Sequence, residues 1–102
     1  MRIVHNVYFT LKDRSDAAAA KLVADCKKYL TSQPGIEFFA AGQLAKELTR
    51  DVNDQEWDVS LHLVFDTPEH QAAYQHDATH HRFIDENKTN WAKVRVFDSA
   101  VE

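Results

Sequence analysis

Hydrophobic and polar positions alternate at the start of the chain. Ile3, His5, Val7 and Phe9 share one face of residues 2 to 11, and Val4, Asn6, Tyr8 and Thr10 share the other. A period of two predicts a β-strand. Both faces carry apolar residues, so both are expected to be covered. The period then changes. Ala19, Leu22, Val23, Cys26, Tyr29 and Leu30 recur at helical spacing, with Lys21, Asp25, Lys27 and Lys28 mostly opposite. This predicts an amphipathic helix. Ser15 is its expected N-cap, and Asp16 suits the positive end of the helix dipole. Pro34-Gly35 ends the element and turns the chain.

Ile36 to Gly42 reads as a second strand. Trp57 to Phe65 is the cleanest alternation: Trp57, Val59, Leu61, Leu63 and Phe65 on one face, Asp58, Ser60, His62 and Val64 on the other. Between them, Leu44 to Leu48 is compatible with one helical turn. Arg50 to Glu56 reads as a solvated connection or a lid over a pocket. Thr67 caps a helix that has Pro68 at its first position, where its missing N–H costs nothing. A break is expected at Asp77, which can cap a second helical segment running to about Asn87. Trp91 to Asp98 is the last strand. The order β-α-β-β-α-β predicts an α+β, ferredoxin-like fold, with a four-stranded antiparallel sheet and helices on one face.

Composition narrows the function. At 102 residues the chain is expected to be a single domain over 1–102. A net charge of −4 argues against nucleic acid, because phosphate binding needs a basic face. No apolar run approaches the roughly 20 residues that span a bilayer, and no signal-peptide pattern opens the chain. With one cysteine, Cys26, an intrachain disulfide is impossible, and a cytoplasmic location is expected. Cys26 lies on the apolar helix face and reads as a buried, inert thiol. No Gly-rich phosphate loop and no Gly-x-Ser-x-Gly elbow is present, so nucleotide-dependent and serine-hydrolase chemistry are unsupported, and no cofactor is expected.

The chemistry points to histidine. Four of the six histidines (His70, His76, His80 and His81) fall between residues 70 and 81. Imidazole titrates nearest neutrality, so acid–base work belongs here first. His76 and His80 stand at i, i+4, a spacing that can place two metal ligands on one helix face. The break at Asp77 spoils that register, and no cysteine or His-Glu-x-x-His pattern supports it. No metal is expected, and His70, His76 and His81 read as surface residues. His5 projects with Val7 and Phe9 toward the helices. It is either a hydrogen-bonded core residue or the wall of a ligand cleft.

The second sheet face is mixed. Val4, Tyr8 and Val64 are poor solvent residues, and Asn6, Asp58, Ser60 and His62 are poor dry-core residues. Such a face suits a homodimer in which two sheets pack together.

Several segments together resemble the stress-responsive α/β-barrel (Dabb) family. They are Ile3-Val4-His5-Asn6-Val7-Tyr8-Phe9, the Pro34-Gly35-Ile36 turn, Asp58 to Asp66, the Tyr74…His80 segment and Val94-Arg95-Val96-Phe97-Asp98. The resemblance covers essentially the whole chain. It implies ferredoxin-like subunits that dimerise through their sheets into a barrel. In one branch, the plant olivetolic acid cyclase, a Tyr and a His six residues later form the catalytic pair, and a first-strand His lines the pocket. Tyr74, His80 and His5 match those in type and spacing. Where the family often has His-Pro between the pair, this chain has Asp77-Ala78. A further strand histidine of the cyclase corresponds to Val59 here. The resemblance therefore implies His80, Tyr74 and His5 as candidate catalytic residues.

Three functions are compatible with these readings. One is a homodimer binding a small apolar or carbonyl-containing molecule, with cofactor-free acid–base chemistry of the aldol or cyclase type. Another is a non-enzymatic, stress-associated structural dimer. The third, from fold analogy alone, is a cofactor-free monooxygenase.

Overall fold

A computed structural model describes all residues, 1–102. The elements in chain order are β1 (Arg2–Leu11), α1 (Asp16–Tyr29), β2 (Ile36–Gln43), β3 (Val59–Phe65), α2 (Pro68–Gln75), α3 (Ala78–Asn87), a single 3-10 turn (Lys88–Asn90) and β4 (Trp91–Val101). The four strands form one sheet in the order β2-β3-β1-β4, with every pairing antiparallel. The fold is ferredoxin-like, with the second helix of that plan split in two. No helix is long and apolar enough to cross a membrane.

The helix starts follow from local chemistry. The Ser15 hydroxyl accepts from the Ala18 N–H at 3.2 Å, and the Thr67 hydroxyl accepts from the His70 N–H at 3.1 Å. Asp77 splits the second helical region: its carboxylate accepts the N–H groups of Thr79 (2.9 Å) and His80 (3.0 Å). Each cap satisfies donors that a helix leaves open at its first turn. Gly35 turns the chain into β2 with a φ of +86°, and any side chain there would collide with His70.

The core lies between the sheet and the helices. Val7, Phe9, Leu61, Leu63 and Phe65 meet Leu22, Cys26, Leu30, Tyr74 and Phe83, all buried. Helix α1 packs on β2 and β3, and α2 packs on β1 and β3. No helix packs extensively over β4. Val94 and Val96 therefore stay 40% and 50% exposed, although they lie opposite Phe9 and Val7 on the helix side.

Two register shifts set which side chains face where. A shift between Thr10 and Leu11 places Trp91 opposite Leu11. Strict alternation from Val94 would have put Trp91 on the other face; instead its ring packs on Phe9, with centroids 4.9 Å apart. A second shift, between Ile36 and Phe38, aligns Phe38 with Val64 and leaves it 55% exposed.

Three details of the sequence reading are corrected. Strand β3 begins at Val59, not Trp57, and Trp57 is not on the core face: its ring meets Tyr8 at 5.1 Å. Its indole donates to the Asp54 carbonyl, so the loop claims it before the strand begins. Asp58 is not part of the second face either; it accepts from the Leu11 N–H and binds Arg14. Leu44 to Leu48 forms no helix; its one internal backbone bond runs from the Leu48 N–H to the Ala45 carbonyl. The following loop is ordered by Gln55, which donates to the Lys46 and Leu48 carbonyls, and by the Asp54–Arg95 pair.

Candidate functional site

A cavity of about 460 Å³ opens between the sheet and the α2–α3 region. Strand β1 contributes His5, Val7 and Phe9 in steps of two, so all three project to the same side. The split helix contributes Tyr74 and His80. Trp91, Val94, Val96 and Asp98 come from β4. The apolar walls come from β1, β4 and α3 and none from α1, because α1 covers the opposite half of the sheet. The 43–56 loop does not line the cavity.

The structure brings His5, Tyr74 and His80 together. The Tyr74 and His80 rings lie 4.3 Å apart between centroids, tilted by 33°. His5 meets Tyr74 edge-on at 5.8 Å. Phe65 backs the group, 5.1 Å from Tyr74 and 6.4 Å from His5. No hydrogen bond joins the three side chains, so each presents its polar atoms to something else.

Each ring nitrogen can be accounted for. The His5 Nδ1 lies 2.5 Å from the Asp98 Oδ1. Its Nε2 has no protein partner and is not enclosed, which on a side chain lining the cavity leaves it facing open space. The His80 Nδ1 is enclosed and unpartnered, whereas its Nε2 is not enclosed, and the side chain lines the cavity. The Tyr74 ring is buried, yet its hydroxyl is neither enclosed nor bonded to protein.

The electrostatics are those of a dry site. Burial lowers the His80 pKa below the usual imidazole value, and the nearby His81 and His5 act the same way. The Gln75 carbonyl and Asp77 oppose the shift. His80 is therefore neutral at pH 7, with a lone pair to offer. Burial pushes the Tyr74 phenol above its ordinary range, and Cys26 and Asp77 add to this. Tyr74 is thus a donor that keeps its proton.

The other candidates separate cleanly. The Cys26 thiol is buried, and desolvation pushes it up to about 12, so it is no nucleophile at neutral pH. His76 is exposed on the far side of the helix break. The His81 Nε2 lies 3.0 Å from the Gln75 carbonyl. His70 is not a free surface residue: it pairs with Asp66 at 2.6 Å and packs on Gly35. Nowhere do three or more His, Cys, Asp or Glu side chains converge as metal ligands would.

Asp98 is the site residue that sequence reasoning missed. Only its place in the alternating run Val94, Val96, Asp98 hinted that it faces the helices. The pairing of β1 with β4 sets Asp98 directly opposite His5.

The architecture recurs in solved structures. A dimeric ferredoxin-like protein of unknown function from Thermobifida fusca superposes with a TM-score of 0.81 at 17% identity, over 99% of this chain and 92% of that one. A Dabb family protein from Mesorhizobium loti gives 0.79 at 19% identity, over 99% and 97%. A hydroxynitrile lyase from Passiflora edulis gives 0.77 at 15% identity, over 99% and 94%. At such identities the likeness establishes the fold and nothing finer. No curated protein matches the sequence. The model of the stress-responsive A/B barrel domain (Dabb) matches residues 3–101, and the chain belongs to that family.

Proposed function

We propose that this protein binds a small, largely apolar molecule carrying a carbonyl group and catalyses proton transfer on it without a cofactor. The convergence of His5, Tyr74 and His80 on one apolar cavity carries this reading. Phe9, Phe83 and Trp91 supply an aromatic wall, and the polar groups gather at one end. A ligand pocket of this size and balance suits a compact molecule with one polar end.

The chemistry follows from the two free atoms. The His80 Nε2 takes a proton from the carbon next to the carbonyl. The C–H electron pair becomes the C=C bond of an enolate, and charge moves to the oxygen. The Tyr74 hydroxyl hydrogen-bonds that oxygen as it becomes negative. In an aldol-type closure the enolate carbon then attacks a second carbonyl, and the new alkoxide takes up a proton. A hydroxynitrile lyase with this fold shows that the fold can host an enzyme; the residues of the cavity, not the fold, point to the chemistry.

We also infer that the working unit is a homodimer through the helix-free sheet face. Tyr8 lies there beside Phe97, with Phe38 and Val64 further along. Phe97 and Phe38 are 51% and 55% exposed. The Thermobifida relative of the same fold is dimeric. This face also favours the second reading, in which the dimer itself is the functional product and the cavity is incidental. A single buried thiol suits a reducing compartment such as the cytoplasm.

A thermal-shift screen of small ketones, aldehydes and hydroxy-aromatic compounds, run on the wild type and on His80→Ala, tests the proposal. Stabilisation by a carbonyl compound that disappears in the variant supports the site. No stabilisation by any compound, or equal stabilisation of both proteins, rejects it in favour of the structural dimer.

A further inference from the structure

We propose that Asp98 is a positioning residue that fixes the proton on the His5 Nδ1 and thereby makes the His5 Nε2 a second proton-transfer atom facing the cavity. The observations are geometric. The His5 Nδ1 stands 2.5 Å from the Asp98 Oδ1. A carboxylate only accepts, so the shared proton belongs to Nδ1. The ring cannot turn over without losing that bond. His5 is 5% exposed, and its neighbours Tyr74 and Phe65 hold it edge-on at 5.8 and 6.4 Å. The pairing of β1 with β4 sets the two residues opposite one another, so the contact is built into the sheet register. With Nδ1 committed, every proton that His5 gains or loses passes through Nε2.

The consequence is a division of labour, which rests on the proposed reading of the cleft. His80 lines the same cavity from α3, and its Nε2 is not enclosed. A condensation needs one proton removed at carbon and one delivered at oxygen. One histidine can do both only if the ligand or the ring swings between the two positions. With two, His80 removes the proton at carbon, and His5, acting as the imidazolium with a proton on each nitrogen, delivers its Nε2 proton to the new alkoxide and is left as the neutral Nδ1–H tautomer. His5 then regains a proton from solvent along the open β4 side of the cavity, where Val94 and Val96 are exposed. The overall exchange is balanced, because the proton taken by His80 is returned to water. Asp98 touches no substrate in this scheme. It is 46% exposed on its side chain, and its part is to hold one tautomer.

Nitrogen-15 NMR of the histidine rings tests this without any ligand. Neutral His5, read at alkaline pH in the wild type, is expected as the Nδ1–H tautomer. Asp98→Leu removes the acceptor while keeping the bulk. The ratio of Nδ1–H to Nε2–H should then fall at least about tenfold, as losing a hydrogen bond to a charged acceptor implies. Asp98→Asn should restore Nδ1–H through its amide oxygen. A wild-type His5 found as Nε2–H overturns the proposal with no variant needed. An Asp98→Leu protein that keeps the wild-type ratio overturns it as well. Because the readout is ligand-free, a failed ligand screen would sink the proposed function and leave this assignment standing.

Discussion

The two faces of the sheet each hold a hydrogen-bonded histidine, and the two are wired differently. On the open face, both nitrogens of His62 are engaged: Nδ1 with the Asn6 Oδ1 at 2.7 Å and Nε2 with the Ser60 Oγ at 3.0 Å. No nitrogen is left for a ligand. On the helix face, His5 spends one nitrogen on Asp98 and His80 keeps Nε2 free, and both line a cavity. The same side chain is structural in one place and available for chemistry in the other. What separates them is an unspent nitrogen beside open space. That distinction identifies the site better than the cluster of histidines between residues 70 and 81. Of that cluster, His70 and His81 have protein partners and only His80 reaches the cavity.

The faces should also respond unequally to damage. Phe65 is fully buried behind Tyr74 and His5, so Phe65→Ala should cost about 3–5 kcal/mol. Phe38→Ala on the open face should cost under about 1 kcal/mol in the monomer. Urea denaturation of the two variants reads the contrast, and similar losses would erase it.

Next in size is assembly. Tyr8→Glu places a charge among Trp57, His62 and Phe97. A central aromatic of an interface is typically worth 2 kcal/mol or more, so the dimer should be lost at about ten micromolar. Lys27→Glu, on the outside of α1, should leave it intact. Sedimentation velocity decides, and a wild type that is monomeric at that concentration removes the sheet-face dimer outright.

Smaller again is the cap. Asp77→Ala should cost about 1 kcal/mol, because the N–H groups of Thr79 and His80 lose their acceptor. It should weaken ligand binding more than it weakens the fold, since α3 starts at that cap and carries His80. Tyr74→Phe is the comparison: its hydroxyl has no protein partner, so the melting temperature should hardly move while turnover falls.

The smallest expected effect is on pH. Burial lowers the pKa of both His62 and His80. The unfolded chain then binds protons that the native state refuses. The stability due to these two neutral rings is complete above about pH 6.5, the unfolded value, and drains away as pH falls from there toward their lowered native values. Denaturant melts at pH 7.5 and 5.5 should show a loss that His62→Gln and His80→Gln each reduce. Equal slopes in all three proteins would mean that the rings are not desolvated. The lowered carboxylates of Asp25 and Asp77 add their own loss, but only in stronger acid.

Much of this protein was legible in its sequence, because periodicity and caps are local. The alternation of Ile3 to Phe9, the Ser15 and Thr67 caps and the break at Asp77 each depend on a handful of neighbouring residues, and each element formed as they required. The candidate trio was suggested by spacing and by family resemblance, and the packing of α2 on β1, with α3 against α2, brings it to one cavity. Other features were invisible because they depend on register between distant strands. Trp91 reaches the helix face only through the shift opposite Leu11. Trp57 leaves the core face because the loop and Tyr8 hold its indole. Asp98 meets His5 across 93 residues of chain, by a pairing that no local pattern encodes. Local sequence therefore determined which segments become strands and helices, since those preferences are set within a few residues. Only the tertiary structure decided which histidine nitrogens stay free, since that depends on partners brought together when the sheet closes.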